Sequence, residues 1–233
     1  MVSDMAFRHE QKYTINRMMM DDCIMRLKEF AHLDSHAAGG GYSIRSLYFD
    51  DATRSAYIDK LDGVGSRQKY RIRIYDMSDG RISLEKKIKE GNYIRKESAL
   101  LSRSEYDSIM RNDVDLLLGR RESLANDFAL ECKLHGLHPE VIVDYERVPY
   151  VYDYGEVRIT FDMNVRAVFD DLSLFDNNAP SFEALDPGTL VMEVKYTQFL
   201  PDIFRAILPD ETFMISASKY VMCEDVKQRF RGC

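Results

Sequence analysis

Several segments of the chain alternate charged and apolar residues with a period of two, and this pattern restricts the fold more than any other feature. Successive side chains of a β-strand point to opposite faces, so each such segment has one charged and one apolar face. Between residues 69 and 75, Lys69, Arg71 and Arg73 alternate with tyrosine and isoleucine. Similar segments lie at residues 8–12, 83–89, 156–162 and 190–197, and a further predicted strand lies at 141–147. We therefore expect an antiparallel sheet whose strands have charged faces.

Helical patterns separate some of these strands. Residues 16–31 place apolar side chains at helical spacing, and Ser102 with Glu105 has the spacing of a capping box. Further helices are expected at about 124–134, at 201–208 and from residue 218. Many antiparallel strands with helices between and around them predict an α+β protein. No linker divides the sequence, so we expect one domain over residues 1–233.

The overall charge and the absence of targeting patterns argue against several classes of function. The 233 residues carry 32 Lys and Arg against 39 Asp and Glu, a formal net charge of −7, which argues against nucleic acid as a partner. No apolar run approaches the roughly 20 residues that span a bilayer, and the N-terminal residues lack the order of a signal peptide. The four cysteines are too far apart for a zinc knuckle or a redox pair. We therefore expect a cytoplasmic protein.

The strand faces are unusually basic for an acidic chain. On a single strand, charges that alternate with apolar residues usually indicate only a face turned to water. Here the basic bias recurs on several strands. The basic residues are Arg71, Arg73, Lys87, Lys89, Arg158 and Lys195, with the acids Glu10, Glu85, Asp162 and Glu193 between them. A closed barrel would direct these faces at one another, and a lumen lined by like charges is costly unless an anion fills it.

Phosphoryl groups are the anions that suit such a lumen. Arginine binds phosphate oxygens bidentately, lysine acts as a point charge, and carboxylates can hold a divalent metal that bridges phosphate oxygens. Removing Arg71 and Arg73 together should relieve repulsion in the empty lumen, so the stability of the ligand-free protein is expected to hold or rise. No competing signature is present, since the chain has no Walker loop, no GxSxG and no HExxH.

A set of motifs in one order resembles a known family. The motifs are Arg8-x-Glu10-x-Lys12-Tyr13, Ser46-Leu47-Tyr48-Phe49-Asp50, Lys69-x-Arg71-x-Arg73-x-Tyr75, Leu84-Glu85-x-Lys87, Asp144-Tyr145-Glu146-Arg147, Arg158-Ile159-Thr160-Phe161-Asp162, Met192-Glu193-Val194-Lys195 and Ser218-Lys219-Tyr220. Each motif is weak alone, but the ordered set is specific and covers nearly the whole chain. It resembles the VTC domain, the polyphosphate polymerase branch of the CYTH-like triphosphate tunnel metalloenzymes. The resemblance implies an antiparallel β-tunnel of about eight strands, with helices outside and triphosphate bound in the lumen.

The resemblance also implies an activity. VTC polymerases take the terminal phosphate from ATP and add it to a growing inorganic polyphosphate, with Mn²⁺ or Mg²⁺ as the catalytic metal. ATP and polyphosphate or triphosphate are thus the expected ligands. A separate membrane protein is a further expected partner, because eukaryotic relatives are joined to membrane segments that this chain lacks.

The strand faces and the resemblance together assign candidate site residues. Catalytic roles are expected for Lys12, Arg71, Arg73, Lys87, Arg158 and Lys195. Substrate binding is expected for Arg8, Lys69, Lys89, Lys96, Arg147 and Lys219. Metal binding is expected for Glu193, Glu10 and Glu85.

Two positions depart from the family pattern. The wider superfamily opens with Glu-x-Glu-x-Lys, and this chain has Arg8 at the first acid. VTC polymerases have a second lysine three positions before the one that matches Lys219, and this chain has Ser216 there. Two alternatives therefore remain beside the polymerase. One is a metal-dependent tri(poly)phosphatase or NTPase with water as the acceptor, and the other is a non-catalytic module that binds polyphosphate or inositol phosphate.

Overall fold

The structure is a computed structural model that describes residues 9–37, 39–91, 93–197, 199–216 and 218–232. The predicted substrate ligand Arg8 lies outside the described residues. The strands are β1 (His9–Asn16), β2 (His32–Leu33), β3 (Tyr42–Asp50), β4 (Ser66–Tyr75), β5 (Ser78–Glu90), β6 (Tyr93–Leu101), β7 (His138–Tyr152), β8 (Val157–Val168), β9 (Phe182–Glu183) and β10 (Thr189–Tyr196). The α-helices are α1 (Arg17–Leu27), α2 (Ser55–Leu61), α3 (Arg103–Met110), α4 (Ser123–His135), α5 (Asp202–Arg205) and α6 (Lys219–Arg231).

The strands form one mostly antiparallel sheet flanked by helices, which confirms the predicted α+β class. The hydrogen-bonded order is β1-β10-β8-β7-β3-β4-β5-β6, with β2 beside β7 and β9 beside β8. Among the described residues, no pairing joins the end strands β1 and β6, so hydrogen bonds do not close the eight-stranded path into the expected barrel. The outer edge of β1 bonds instead to a following segment, where the backbone N–H of Ile215 donates to the carbonyl of Lys12 at 2.9 Å.

Contacts within the chain divide it into two compact units. The first comprises Met1–Ser43, Tyr145–Val165 and Leu185–Ser218, and the second comprises Ile44–Asp144, Arg166–Ala184 and Lys219–Cys233. The strands β3, β7 and β8 contribute residues to both units. The single domain over residues 1–233 stays a prediction.

In the first unit, β1, β10 and β8 turn alternate residues to a charged and an apolar face. The apolar face packs with α1 in a core that includes Tyr13, Leu27 and Phe161. Helix α1 begins after Asn16, whose side chain accepts a hydrogen bond from the backbone N–H of Met19 at 2.9 Å. The helix ends at Leu27, before the predicted residue 31, because the chain turns there and enters β2, which pairs with β7.

In the second unit, β3, β4, β5 and β6 pair in that order. Their apolar faces pack with α3 and α4 in a core that includes Phe128. The turn Asp76–Met77 joins β4 to β5, and both residues have positive φ, which matches the twist of a hairpin. Helix α3 begins at the predicted capping box of Ser102 and Glu105, and α4 ends before Gly136, which has a φ of 67°. Local sequence signals thus identify both helix boundaries.

Of the last two helices, α5 is shorter than predicted and α6 begins close to its predicted start. Helix α5 covers only Asp202–Arg205, less than the predicted 201–208. Helix α6 begins one residue after the predicted start and buries Tyr220, Cys223 and Val226. In the part of the chain that the structure describes, no helix has the length and apolar character needed to cross a membrane.

Candidate functional site

The charged face of β4, β5 and β6 in the second unit carries six of the predicted ligands. They are Lys69, Arg71, Arg73, Lys87, Lys89 and Lys96. In the strand register, Lys69 lies opposite Lys87, and Lys87 lies opposite Lys96. We call these three residues the lysine row. Like charges directly opposite each other on neighbouring strands are destabilising, so the lysine row favours the binding of an anion.

Glu85 is the carboxylate in the middle of this face. Arg71 lies opposite it and donates through Nε to Oε2 at 2.6 Å, and the Nζ of Lys96 lies 2.6 Å from Oε1. The Nη1 of Arg73 lies 4.0 Å from Oε2, while its Nε donates to the hydroxyl of Ser46 at 3.1 Å. Burial would raise the pKa of Glu85, but the charges of these three cations outweigh burial and lower the pKa to about 2. Glu85 is therefore ionised near neutral pH.

This low pKa predicts a loss of stability in acid. A carboxyl group whose pKa falls on folding, here from 4.5 to about 2, stabilises the protein above pH 4.5, and the contribution is lost as the pH drops toward 2. By pH 3 we expect wild type to lose about 2 kcal/mol of unfolding free energy that Glu85→Gln does not lose. Urea unfolding at pH 6 and pH 3 measures this difference, with Glu90→Gln, exposed on the same strand, as the control. Equal losses in Glu85→Gln and wild type would contradict the ion-pair cluster.

Tyr48 on β3 joins this face, although the sequence analysis did not single it out as a ligand. Its hydroxyl accepts a hydrogen bond from Nη1 of Arg71 at 2.8 Å, and the Nζ of Lys69 lies 5.6 Å from its ring centre. The ring also stacks on Tyr220 of α6, with centroids 5.1 Å apart, and Tyr220 follows the predicted ligand Lys219. The period-two alternation of residues 46–50 is the signal that could have identified Tyr48.

The charged face of the first unit is balanced rather than cationic. On β1, β10 and β8 it carries the cations Lys12, Lys195 and Arg158 and the acids Glu10, Glu193 and Asp162. Glu193 lies at its centre, with the Nζ of Lys195 at 3.0 Å from Oε2 and the Nζ of Lys12 at 3.8 Å from Oε1. Lys12 also lies 2.8 Å from Glu10. The expected excess of cations is therefore a property of the second unit's face, because the register of the first unit sets Lys12 and Lys195 opposite acids and the fold brings an acid from outside the sheet register to Arg158.

Arg147 of β7 reaches the same cluster and is buried in it. Asp162 accepts two hydrogen bonds from this guanidinium, from Nε at 2.6 Å and from Nη2 at 2.7 Å. The Nη2 atom also lies 3.7 Å from Glu193. Burial would lower the pKa of Arg147, but Tyr145, Asp162 and Glu193 raise it well above its usual value. Arg147, predicted to bind substrate, thus stays positively charged, and the edge of its guanidinium formed by Nε and Nη2 is bonded to Asp162.

Arg158 is held by residues that no sequence pattern identifies. Its Nη2 lies 3.0 Å from Oδ2 of Asp34 and donates to the hydroxyl of Tyr42 at 3.2 Å. Asp34 also accepts a hydrogen bond from the backbone N–H of His36 at 3.0 Å. The side chain of Arg158 remains 40% exposed. Asp34 lies more than a hundred residues before Arg158, so only the fold shows their contact.

Glu193 is the best placed of the three predicted metal ligands. Thr160 lies directly opposite it on β8, and the hydroxyl of Thr160 is buried with no hydrogen-bond partner among the described residues. Carboxylate and hydroxyl oxygens are the hard ligands that Mn²⁺ and Mg²⁺ prefer. Within the described ranges, no group of three or more His, Cys, Asp or Glu could hold a metal. A divalent ion at Glu193 would therefore also need phosphate oxygens, as Mg²⁺ often does.

Comparisons with known proteins identify the fold. The chain is similar to a candidate adenylate cyclase from Vibrio parahaemolyticus, with 11% identity over 93% of this chain and 97% of that chain and a TM-score of 0.53. A candidate adenylate cyclase from Bacillus halodurans has 11% identity, covers 83% of this chain and 81% of its own, and has a TM-score of 0.51. A candidate adenylyl cyclase from Hippeastrum, with a dominant triphosphatase activity, has 13% identity, covers 94% and 96%, and has a TM-score of 0.50. At these identities the likeness shows a shared fold.

Comparison of the sequence with models of known families identifies the family. A search of the curated proteins finds no match. The sequence model of the VTC domain matches residues 7–226, which is nearly the whole chain. The match includes every predicted site residue, and the predicted resemblance is confirmed. The chain therefore belongs to the VTC domain family.

Proposed function

We propose that the protein is an ATP-dependent polyphosphate polymerase. It transfers the terminal phosphate of ATP to a growing inorganic polyphosphate, and the cationic face of the second unit binds phosphate groups. The lysine row supports this proposal most directly, because it sets three cationic side chains opposite one another on neighbouring strands, an arrangement that a bound polyanion would stabilise. Membership of the VTC family supports the choice of polyphosphate among the anions.

The proposed reaction needs no general base from the protein. A terminal oxygen of the growing chain is already ionised near neutral pH and attacks the γ-phosphorus of ATP. A new P–O bond forms to the chain, the bond from the γ-phosphorus to the β–γ bridging oxygen breaks, and ADP leaves. Catalysis then consists of positioning the two phosphates and neutralising charge on the transferred group. Arg71, Arg73 and the lysine row supply positive charge for both tasks.

Glu193 would hold the divalent metal, with Glu10 on the same strand face as a second acid. A bound Mn²⁺ or Mg²⁺ supplies charge neutralisation at the phosphate oxygens. Lys12, Lys195 and Arg147 surround Glu193 and keep its carboxylate in place. These three cations also favour anionic phosphate beside the carboxylate.

A triphosphatase is the second candidate. The Hippeastrum structure, which shares the fold, has a dominant triphosphatase activity. The same positioned cations would serve hydrolysis if water, rather than a phosphate chain, attacked the terminal phosphorus. The two candidates therefore differ in the acceptor and not in the residues that bind phosphate.

The decisive experiment identifies the products. The protein is incubated with ATP and Mn²⁺, and the phosphate-containing products are resolved by size on a gel. A ladder of polyphosphate, with one ADP released for each phosphate added to the chain, supports the polymerase. Orthophosphate without polymer would instead identify a phosphatase. Intact ATP, from a protein that binds tripolyphosphate in a separate titration, would identify a binding module.

Replacing the middle lysine of the row tests the proposed phosphate site. Lys87→Met should raise the unfolding free energy by about 1 kcal/mol, because it removes repulsion from Lys69 and Lys96. It should also weaken binding of tripolyphosphate about tenfold, since a charge-assisted contact is lost. Thermal melts and calorimetric titration measure the two effects, with Lys28→Met, an exposed lysine, as the control. A less stable Lys87→Met with unchanged affinity would show that this face is an ordinary solvated one.

A further inference from the structure

Glu85 lies against three cations of the second unit's face, Arg71, Arg73 and Lys96. We propose that Glu85 is a placeholder anion, which occupies Arg71 and Lys96 until phosphate groups of the substrate chain displace it. It then limits how tightly polyphosphate is held, and it is a positioning residue rather than a metal ligand. This inference rests on the proposed function, because it assumes that the cationic face binds polyphosphate.

Both carboxylate oxygens of Glu85 are already engaged. Oε1 contacts Lys96 at 2.6 Å, and Oε2 contacts Arg71 Nη2 at 2.5 Å. The Glu85 side chain is 5% exposed, so its ion pairs are shielded from water. A metal at this carboxylate would have to replace a short ion pair at each oxygen, whereas Lys12 lies 3.8 Å from Oε1 of Glu193 and a buried hydroxyl lies opposite that residue. This arrangement argues against the metal role predicted for Glu85 from the sequence.

The cations around Glu85 differ in how readily they can leave it. Lys96 is 51% exposed on the end strand β6, and a long flexible side chain there can turn to a bound phosphate. Arg71 is 19% exposed, and its guanidinium contacts both Glu85 and the hydroxyl of Tyr48. Arg73 is buried and bonded to Ser46, so it remains near Glu85 when the others move. Displacement therefore leaves Glu85 with Arg73 as its remaining cation, and the bound phosphates must compensate for the two ion pairs that Glu85 loses.

The lysine row is the proposed binding position for the incoming phosphate. Lys69, Lys87 and Lys96 lie one row away from the Arg71–Glu85 pair, and Lys96 belongs to the row while also contacting Glu85. A phosphate on the row and the carboxylate of Glu85 compete for Lys96, and they repel one another at short range. The negative charge of Glu85 thus weakens binding of the polymer and favours its movement along the face.

The test measures tripolyphosphate binding without metal, in the presence of a chelator. Glu85→Gln keeps the shape and removes the charge, so affinity should increase about tenfold and dissociation should slow. Glu85→Asp keeps the charge and should bind more like wild type. Glu90→Gln, exposed at the end of β5, controls for a change of one unit in net charge. Calorimetry gives the affinities, and thermal melts establish that each variant is folded.

A second variant keeps the test independent of the stability of Glu85→Gln. Ser98 is exposed on β6 directly opposite Glu85, so Ser98→Glu adds a carboxylate beside the same cations. It should weaken tripolyphosphate binding about tenfold. Unchanged or weaker binding by folded Glu85→Gln would overturn the placeholder role, as would unchanged binding by Ser98→Glu. A loss of Mn²⁺ affinity in Glu85→Gln would overturn it in favour of a metal ligand.

The same measurements separate this inference from the proposed function. Wild-type protein that binds tripolyphosphate while Glu85→Gln binds equally well contradicts the placeholder role alone. Wild-type protein that binds tripolyphosphate in the expected order of variants, yet makes no polymer from ATP, contradicts the polymerase alone. Failure of wild type to bind tripolyphosphate would overturn both.

Discussion

Glu193→Gln is expected to lower metal-dependent consumption of ATP by about a hundredfold or more. A divalent ion contributes several kcal/mol of charge stabilisation during phosphoryl transfer, and each 1.4 kcal/mol is a factor of ten in rate. Glu193 is the carboxylate at the centre of the first unit's charged face, opposite the buried hydroxyl of Thr160. Glutamine keeps the shape of the side chain but is a poor ligand for a hard cation.

The same substitution should leave metal-free binding of tripolyphosphate intact or make it tighter. Lys12, Lys195 and Arg147 all lie within 4 Å of Glu193, so loss of its charge leaves them more strongly cationic. The affinity for tripolyphosphate, measured with a chelator, should therefore hold or rise, whereas the rate of ATP consumption at limiting Mn²⁺ should fall. A merely structural role for Glu193 would impair both.

The control for Glu193→Gln is Asp21→Asn, an exposed acid on α1 that pairs with Arg17. It removes one negative charge from the same unit and should change neither rate nor binding. Consumption of ATP at the wild-type rate by Glu193→Gln, with limiting Mn²⁺, would remove Glu193 from the mechanism. Glu10, on the same strand face, would then be the next metal ligand to test.

Arg71→Ala combined with Arg73→Ala is expected to reduce tripolyphosphate affinity at least a hundredfold. In the proposed site, Arg71 would contribute charge-assisted hydrogen bonds to phosphate, worth about 1.5–3 kcal/mol each, and Arg73 would add positive charge beside it. The double variant should also lose about 3 kcal/mol of unfolding free energy, because Glu85 stays buried with Lys96 as its remaining partner of the three. The sequence alone suggested the opposite sign for stability. The ion pairs to Glu85 reverse that expectation.

A third substitution separates binding from stability in this experiment. Adding Glu85→Gln to the double variant removes the stranded charge, so stability should recover in part while tripolyphosphate binding stays weak. Arg17→Ala with Arg26→Ala, two exposed residues of α1, is the matched control. Urea unfolding and calorimetric titration give the two quantities. Wild-type affinity in the double variant would show that Arg71 and Arg73 do not bind phosphate.

The sequence by itself determined the local structure and the composition of the charged faces. Period-two alternation depends only on the geometry of an extended backbone, so it places Arg71 and Arg73 on one face without knowledge of the fold. Ser102 and Glu105 satisfy backbone groups of their own helix, so that boundary is also readable from local sequence. The ordered motifs likewise identify the VTC family, which the match over residues 7–226 confirms.

Only the tertiary structure decided which charges meet. The strand register aligns the lysine row and sets Arg71 against Glu85, although 14 residues separate the latter two in the chain. The fold also brings Asp34 to Arg158 across more than a hundred residues. Charge–charge energies depend on distances of a few ångströms and on burial, and neither quantity is encoded in spacing along the chain. For this reason the sequence predicts cationic faces, whereas the structure shows that one is cationic and the other is balanced by acids.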